Sequence, residues 1–194
     1  MLRTFLPLTA VLVLTPQHPD PPPFAQRLSD AAIELTHDRV VYDPAYFRIP
    51  YPNGDVPAGR GVCTDVVVRA YRRLGIDLQQ RVHTDMAAHF SAYPRQWGLR
   101  GPDPNIDHRR VPNLMTYFTR CGADLPITDA AADYRAGDLV CWDLGGGILH
   151  IGIVVDRRSA DGARPLIVHN IGAGQVLEDR LFAFRIIGHY RYAG

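Results

Sequence analysis

Cysteine is scarce in this chain, three residues among 194, which excludes a disulfide-stapled scaffold. Cys63, Cys121 and Cys141 cannot all pair with one another, so at least one thiol is free. A bridge between Cys121 and Cys141 is compatible with that count. No C-x-x-C pair and no Cys/His zinc spacing occurs. Net charge is also small, formally +1. Arginine greatly outnumbers lysine, but the arginines are scattered and form no basic stripe, which removes the electrostatic case for nucleic acid. No internal repeat is present. The apolar run Phe5–Leu14 is too short to cross a bilayer. Arg3 before it and a proline-rich stretch after it match a secretory signal, and no cysteine follows to carry a lipid anchor. Residues 1–23 are therefore expected to be a signal peptide and an extended Pro-rich linker, with 24–194 a single domain. A 46% hydrophobic and 21% charged composition suits a globular chain able to bury a core of its own.

What is present is a change of character along the chain. Phe24, Leu28, Ala31, Ala32 and Leu35 recur at helical spacing, which predicts an amphipathic helix over Phe24–Thr36. Tyr42–Arg60 is rich in Pro, Gly and Tyr and reads as a structured loop. In "GVCTDVVVRAYRRLGI", Val62, Val66, Ala70 and Leu74 lie on one stripe and Gly75 is a natural stop, so Cys63 opens a helix despite its three valines. The middle segment 81–127 holds two further helix candidates, Thr84–Ala92 and Pro112–Cys121, separated by a long Pro/Gly/Asn-rich loop. After Pro126 come short β-branched runs, "AGDLVCWDL", "GGILHIGIVVD", "RPLIVHNIG" and "RIIGHYRY", read as consecutive antiparallel strands with hairpin loops at Gly145–Gly147 and Ser159–Gly162. "GAGQVLED" is a glycine turn into a strand or sheet edge. Helices followed by strands is the α+β order.

A thiol becomes a nucleophile when its pKa is lowered, by a helix N-terminus or by an imidazole. Cys63 stands where the free N–H groups of a helix start favour a thiolate. In "ILHIGIVVD" alternation puts His150 on one face with Gly152, which leaves room beside the ring. The next strand carries His169, with Asn170 on the opposite face, and either one is a candidate to orient the His150 ring. Cysteine on a helix, then histidine, then histidine or asparagine on successive strands, is the order of a nucleophile, a base and an orienting group.

These residues resemble the NlpC-type branch of the papain-like fold, whose members cut peptide or amide bonds of bacterial peptidoglycan. Cys63 with "AYRRLGI", "AGDLV", "HIGI" and "VHN" stand where that family has its helix-opening cysteine, A-Y-x-x-x-G-I, P-G-D-L-V, H-V-G-I and V-H-A. With "GVCTD" and "NIDHRRVPNL", the chain is most similar to the branch known as the bacterial domain-of-unknown-function family 1287. The resemblance implies a papain-like α+β fold, N-terminal helices packed on a small antiparallel β-sheet. It implies Cys63 as nucleophile, His150 as general base and acid, and His169 as the orienting member. Tyr51 stands at the spacing of a tyrosine that the family keeps near the oxyanion. The sequence departs from the family at Val62-Cys63-Thr64-Asp65, where D-C-S-G is usual, and in its enlarged middle segment 81–127.

Asp65 has two readings, a cap on the helix start or a catalytic acid. Asp107, His108, Arg109 and Arg110, in "PNIDHRRVPN", either face a cleft, the arginines gripping substrate carboxylates, or form an ion-paired loop that holds itself together. His83 and His89 do not align on one helical face, which argues against a metal there. The expectation is an exported, periplasmic or secreted bacterial cysteine peptidase or amidase acting on peptidoglycan or its peptide fragments. It implies no metal, no organic cofactor and no nucleic-acid partner. The other classes are a cell-wall-binding module without turnover and a cysteine acyltransferase or lipid hydrolase.

Overall fold

The computed structural model describes residues 23–194. The signal and linker expectation falls almost entirely on residues 1–22, outside that range. Helix α1 (Phe24–Leu35) buries Leu28, Ala31, Ala32 and Leu35, the stripe its periodicity predicts. Two short parallel strands follow, β1 (Val41–Tyr42) and β2 (Arg60–Gly61), with Tyr42 beside Gly61. Helix α2 (Cys63–Arg73) comes next, and its three valines at 66–68 are all buried. The helix is covered on several sides, which lets packing override the strand propensity of β-branched residues. Its end is held by Ile76 N donating to Tyr71 O at 3.1 Å and Gly75 N to Arg72 O at 2.9 Å, with Gly75 at φ +81°. That left-handed turn favours glycine.

Helix α3 (Leu78–Ala88) begins well before the predicted Thr84, because the Asp77 side chain caps it by accepting from Gln79 N at 3.0 Å. The predicted tail to Ala92 is a separate short 3-10 turn, Phe90–Ala92. Further 3-10 turns at Gln96–Gly98 and Asp107–Arg109 carry the middle segment to α4 (Val111–Arg120), with Pro112 in its first turn.

Five strands, β3 (Leu139–Asp143), β4 (Leu149–Arg158), β5 (Pro165–His169), β6 (Val176–Glu178) and β7 (Arg185–Tyr190), form an antiparallel sheet. The spatial order is β6-β5-β4-β3-β7, so β3 to β6 follow one another as hairpins while β7 returns to close the free edge of β3. "GAGQVLED" supplies the opposite edge, β6. Alternation sends Leu139, Cys141, Ile151, Ile153, Val155 and Val168 into the core shared with α1, α2 and α4. Val140, Trp142, Val154 and Ile167 cover the other face with Tyr134 and Leu181. The fold class is therefore α+β, four helices and a five-stranded antiparallel sheet among the described residues. All three cysteines are free. Cys121 is exposed and Cys141 fully buried, so the conceivable bridge between them does not form. No helix among the described residues is long and apolar enough to cross a membrane.

Candidate active site

The Cys63 side chain opens α2 against the end of the sheet. The β4–β5 ladder runs through Ile153 opposite Val168 and does not extend to Ile151. The Ile151 backbone N–H lies near enough to the Cys63 sulfur to pull its pKa down. Burial nevertheless dominates. It pushes the Cys63 thiol up to about 11, against the pull of the backbone N–H groups, with the Asp65 charge adding to the rise. The expected lowering by the helix start is thus overturned at rest, because desolvating a thiolate outweighs a few amide dipoles.

His150 lies one residue before that N–H. Its ring is buried, tilted against Trp142 with centroids 5.7 Å apart, and held neutral by burial and by His169, its pKa lowered to about 3. His150 Nε2 and His169 Nδ1 are 2.8 Å apart, and His169 Nε2 is 3.2 Å from Glu178 Oε2. Arg180 Nε donates to the same Glu178 oxygen at 3.0 Å. Burial raises the Glu178 pKa, but the Arg180 hydrogen bond and charge, with His169 behind them, hold it below the usual range.

These contacts define tautomers. An ionised Glu178 only accepts, so His169 carries its proton on Nε2 and leaves Nδ1 as an acceptor. His150 then donates from Nε2, and its Nδ1 keeps a free lone pair. Nδ1 is also the ring nitrogen nearest the His150 backbone. Among the described residues no hydrogen bond joins Cys63 Sγ to either imidazole; sulfur and ring approach β4 from opposite faces at its end. Gly152 is essential here: a Cβ on it would meet Ile167 Cγ2 at 2.6 Å and His169 Cβ at 3.1 Å.

Of the two candidates to orient His150, His169 is the one that touches it. Asn170 turns to the helix side, where Nδ2 donates to Gly61 O at 3.2 Å and Oδ1 accepts from Gly172 N at 3.1 Å. Asp65 Oδ2 accepts from Val62 N at 2.7 Å, tying the helix start. Its carboxylate also takes the Arg109 guanidinium, with Nε to Oδ1 at 3.0 Å and Nη2 to Oδ2 at 3.1 Å. Arg109 donates further to Ala45 O and Asp43 O. Asp65 and Arg109 thus lock the Cys63 turn to the preceding loop.

Asp107 is fully buried and binds His83 Nδ1 at 2.9 Å, while burial pushes its carboxyl up. His108 is buried too, lowered to about 3 by burial and by the Arg109 charge. Neither lines the cleft, and they do not pair with each other either: the ionic partner of Asp107 is His83 on α3, and His108 Nδ1 is buried without a hydrogen-bond partner among the described residues. Tyr51 packs edge-on to His83, 5.1 Å between centroids, and does not border the Cys63 cleft. Tyr42 and Tyr46 do. Burial raises the Tyr42 pKa, and the nearby Cys63 adds to it. The parallel pairing of β1 with β2 puts Tyr42 beside Gly61, two residues before the cysteine, and spacing in the chain carries no trace of that pairing.

The cleft itself is open, about 690 Å³, lined by Cys63, Tyr42, Tyr46, Trp97, Arg110 and Leu149 among others. Glu178 and Tyr42 are residues that motif reading missed, while Arg110 is the member of "PNIDHRRVPN" that faces the cleft. The run "GQVLED" offered a glutamate near a sheet edge but no sign of its partner.

Residues 29–192 match the family described as "Domain of unknown function (DUF1287)". The chain is 52% identical over 165 residues to the "Uncharacterized protein YijF" of Escherichia coli (strain K12), covering 85% of this chain and 80% of that protein.

Proposed function

This chain belongs to the DUF1287 family, and from that premise we propose that it is an exported cysteine hydrolase of papain-like architecture. It cuts amide or peptide bonds, with peptidoglycan stem peptides as the substrate class. The observation that carries the reading is the chain Arg180–Glu178–His169–His150, whose tautomers leave His150 Nδ1 free on the residue next to Ile151, whose backbone N–H pulls on the Cys63 thiol. The substrate class rests on the resemblance of the quoted motifs.

Thiol and imidazole rest as a neutral pair, so the proton moves as the bond forms. The sulfur attacks the acyl carbon while the thiol proton passes to His150 Nδ1 around the end of β4, a transfer that requires the two groups to close from their resting separation. His150 returns it to the departing amine, leaving a thioester on Cys63. A water then loses a proton to His150, attacks the thioester and releases a carboxylic acid, and the thiol is restored. The backbone N–H of Cys63 and the Tyr42 hydroxyl are the donors available to the oxyanion. His169 and Glu178 are positioning residues, since they act through His150.

The raised thiol pKa favours one second reading, a cell-wall-binding module that keeps the cleft without turnover. Digestion of purified sacculi by wild type and by Cys63→Ala, with products mapped by mass, separates the two. New amines or released stem peptides from wild type alone support hydrolysis. Sedimentation with sacculi in both variants, without products, favours the module.

A further inference from the structure

Arg109 and Arg110 are neighbours with opposite fates. Arg109 is buried, and its guanidinium is engaged by Asp65 and by two backbone carbonyls. Arg110 faces the cleft that Cys63 lines. Its guanidinium carbon stands 4.2 Å over the Trp97 ring, and its Nη1 is buried with no hydrogen-bond partner among the described residues. A buried guanidinium nitrogen without an acceptor is costly unless a ligand supplies one. Burial lowers the Arg110 pKa, with Asp107 and Asp103 opposing that drop. Neither acid hydrogen-bonds Arg110, although Asp107 Oδ1 is itself buried without a partner among the described residues. Asp107 Oδ2 takes His83 and Asp103 N, and Asp103 takes the Tyr46 hydroxyl and both nitrogens of Asn105.

Trp97 adds an independent sign. It is 54% exposed and sits at φ +63°, a left-handed backbone that a bulky residue adopts only under constraint. The Trp97 ring beneath the Arg110 guanidinium carbon holds the fork by a cation–π contact and leaves it to offer paired N–H donors to a carboxylate.

We infer that Arg110, backed by Trp97, is a specificity residue that binds a free carboxylate on the substrate beside the Cys63 acyl site. The inference rests on the reading of Cys63 as the nucleophile of that cleft. It narrows the substrate class to peptides carrying an acid near the bond cut and disfavours those whose acid is amidated.

The test uses electrophiles that differ only in that group. N-iodoacetyl-glycine is compared with N-iodoacetyl-glycinamide, and the one-residue-longer glycylglycine pair gives a second reach. Alkylation of Cys63 and of exposed Cys121 is followed in the same protein by mass spectrometry, so Cys121 serves as the internal reference. For at least one pair, the acid-to-amide rate ratio at Cys63 exceeds that at Cys121 by about tenfold, the scale of one charge-assisted bidentate contact. Arg110→Gln brings the ratio down to the Cys121 value; Arg110→Lys falls between. Equal ratios at both cysteines for both pairs, or a raised ratio that survives Arg110→Gln, overturn the carboxylate site. His150→Gln lowers both Cys63 rates and preserves their ratio. Unchanged rates in that variant tell against the hydrolase while leaving the site intact. Failure of every reagent at Cys63 removes both.

Discussion

His150 and His189 are both buried on the central sheet and both are joined to an acid that an arginine holds. They differ in what is left over. His189 on β7 has its Nδ1 on Pro126 O at 2.9 Å and its Nε2 on Asp138 Oδ2 at 2.9 Å, while Arg191 grips Asp138 and Tyr134 stacks on the ring. Every polar atom of that ring is committed to the fold. His150 reaches its acid through a second imidazole and retains one ring nitrogen for other work. A buried histidine with both nitrogens bonded is a structural joint; one with a polarised relay behind it and a free lone pair in front is built to move a proton.

Breaking each ring sharpens that contrast. His150→Ala is expected to reduce turnover of sacculi by about 10³-fold or more, since the base and its relay act as one unit, with the folded state retained. His189→Ala is expected to cost on the order of 2–3 kcal/mol of stability, because buried Asp138 loses one of its two charged partners, Arg191 remaining, and Pro126 O loses its donor, while the folded fraction keeps its rate. Urea titration beside steady-state assays reads both. If His189→Ala removes turnover without loss of stability, the two rings are not the different devices described above.

A smaller effect tests the relay itself. Glu178→Leu, which removes both charge and acceptor, is expected to lower kcat about 100-fold, and Glu178→Gln, which keeps an acceptor, about tenfold, KM being unchanged in both. A purely structural Glu178 would shift stability and leave the pH profile of kcat in place. Equal rates in Gln and Leu variants would dissociate His169 from tautomer control.

The smallest effect is in acid. The folded His150 pKa is about 3 against an ordinary 6.5, so the unfolded chain binds more protons between those values. The stability contributed by neutral His150 is complete above about pH 6.5 and declines as pH falls toward 3. Between pH 6.5 and 4.5 the loss is on the order of 1–2 kcal/mol, and His150→Gln flattens that part of the curve. His108, also lowered to about 3, contributes in the same direction. A curve equally steep in wild type and His150→Gln would place the acid sensitivity elsewhere.

Cys63 at a helix start, His150 and Gly152 on one strand face, and the opposite facing of His169 and Asn170 are carried by local periodicity, while the choice of His169 to meet His150 comes from the β4–β5 pairing. The 3.6-residue and two-residue repeats state which side chains share a side, and glycine marks where a neighbour must come close. The boundaries of α1, α2 and α4 were legible to within a residue for the same reason, while α3 was misplaced because its Asp77 cap lies outside the apolar pattern.

Glu178 behind His169, Tyr42 beside Gly61 and Arg110 free where Arg109 is locked belong to tertiary structure alone. Each depends on pairing between segments that meet only after the chain has folded. The sequence by itself determined the residue types and the faces they share, because those follow from backbone geometry. Which of the acids, tyrosines and arginines reached the cleft was decided by packing, since burial and partners, including the burial that keeps the Cys63 thiol protonated, exist only once distant segments exclude water together.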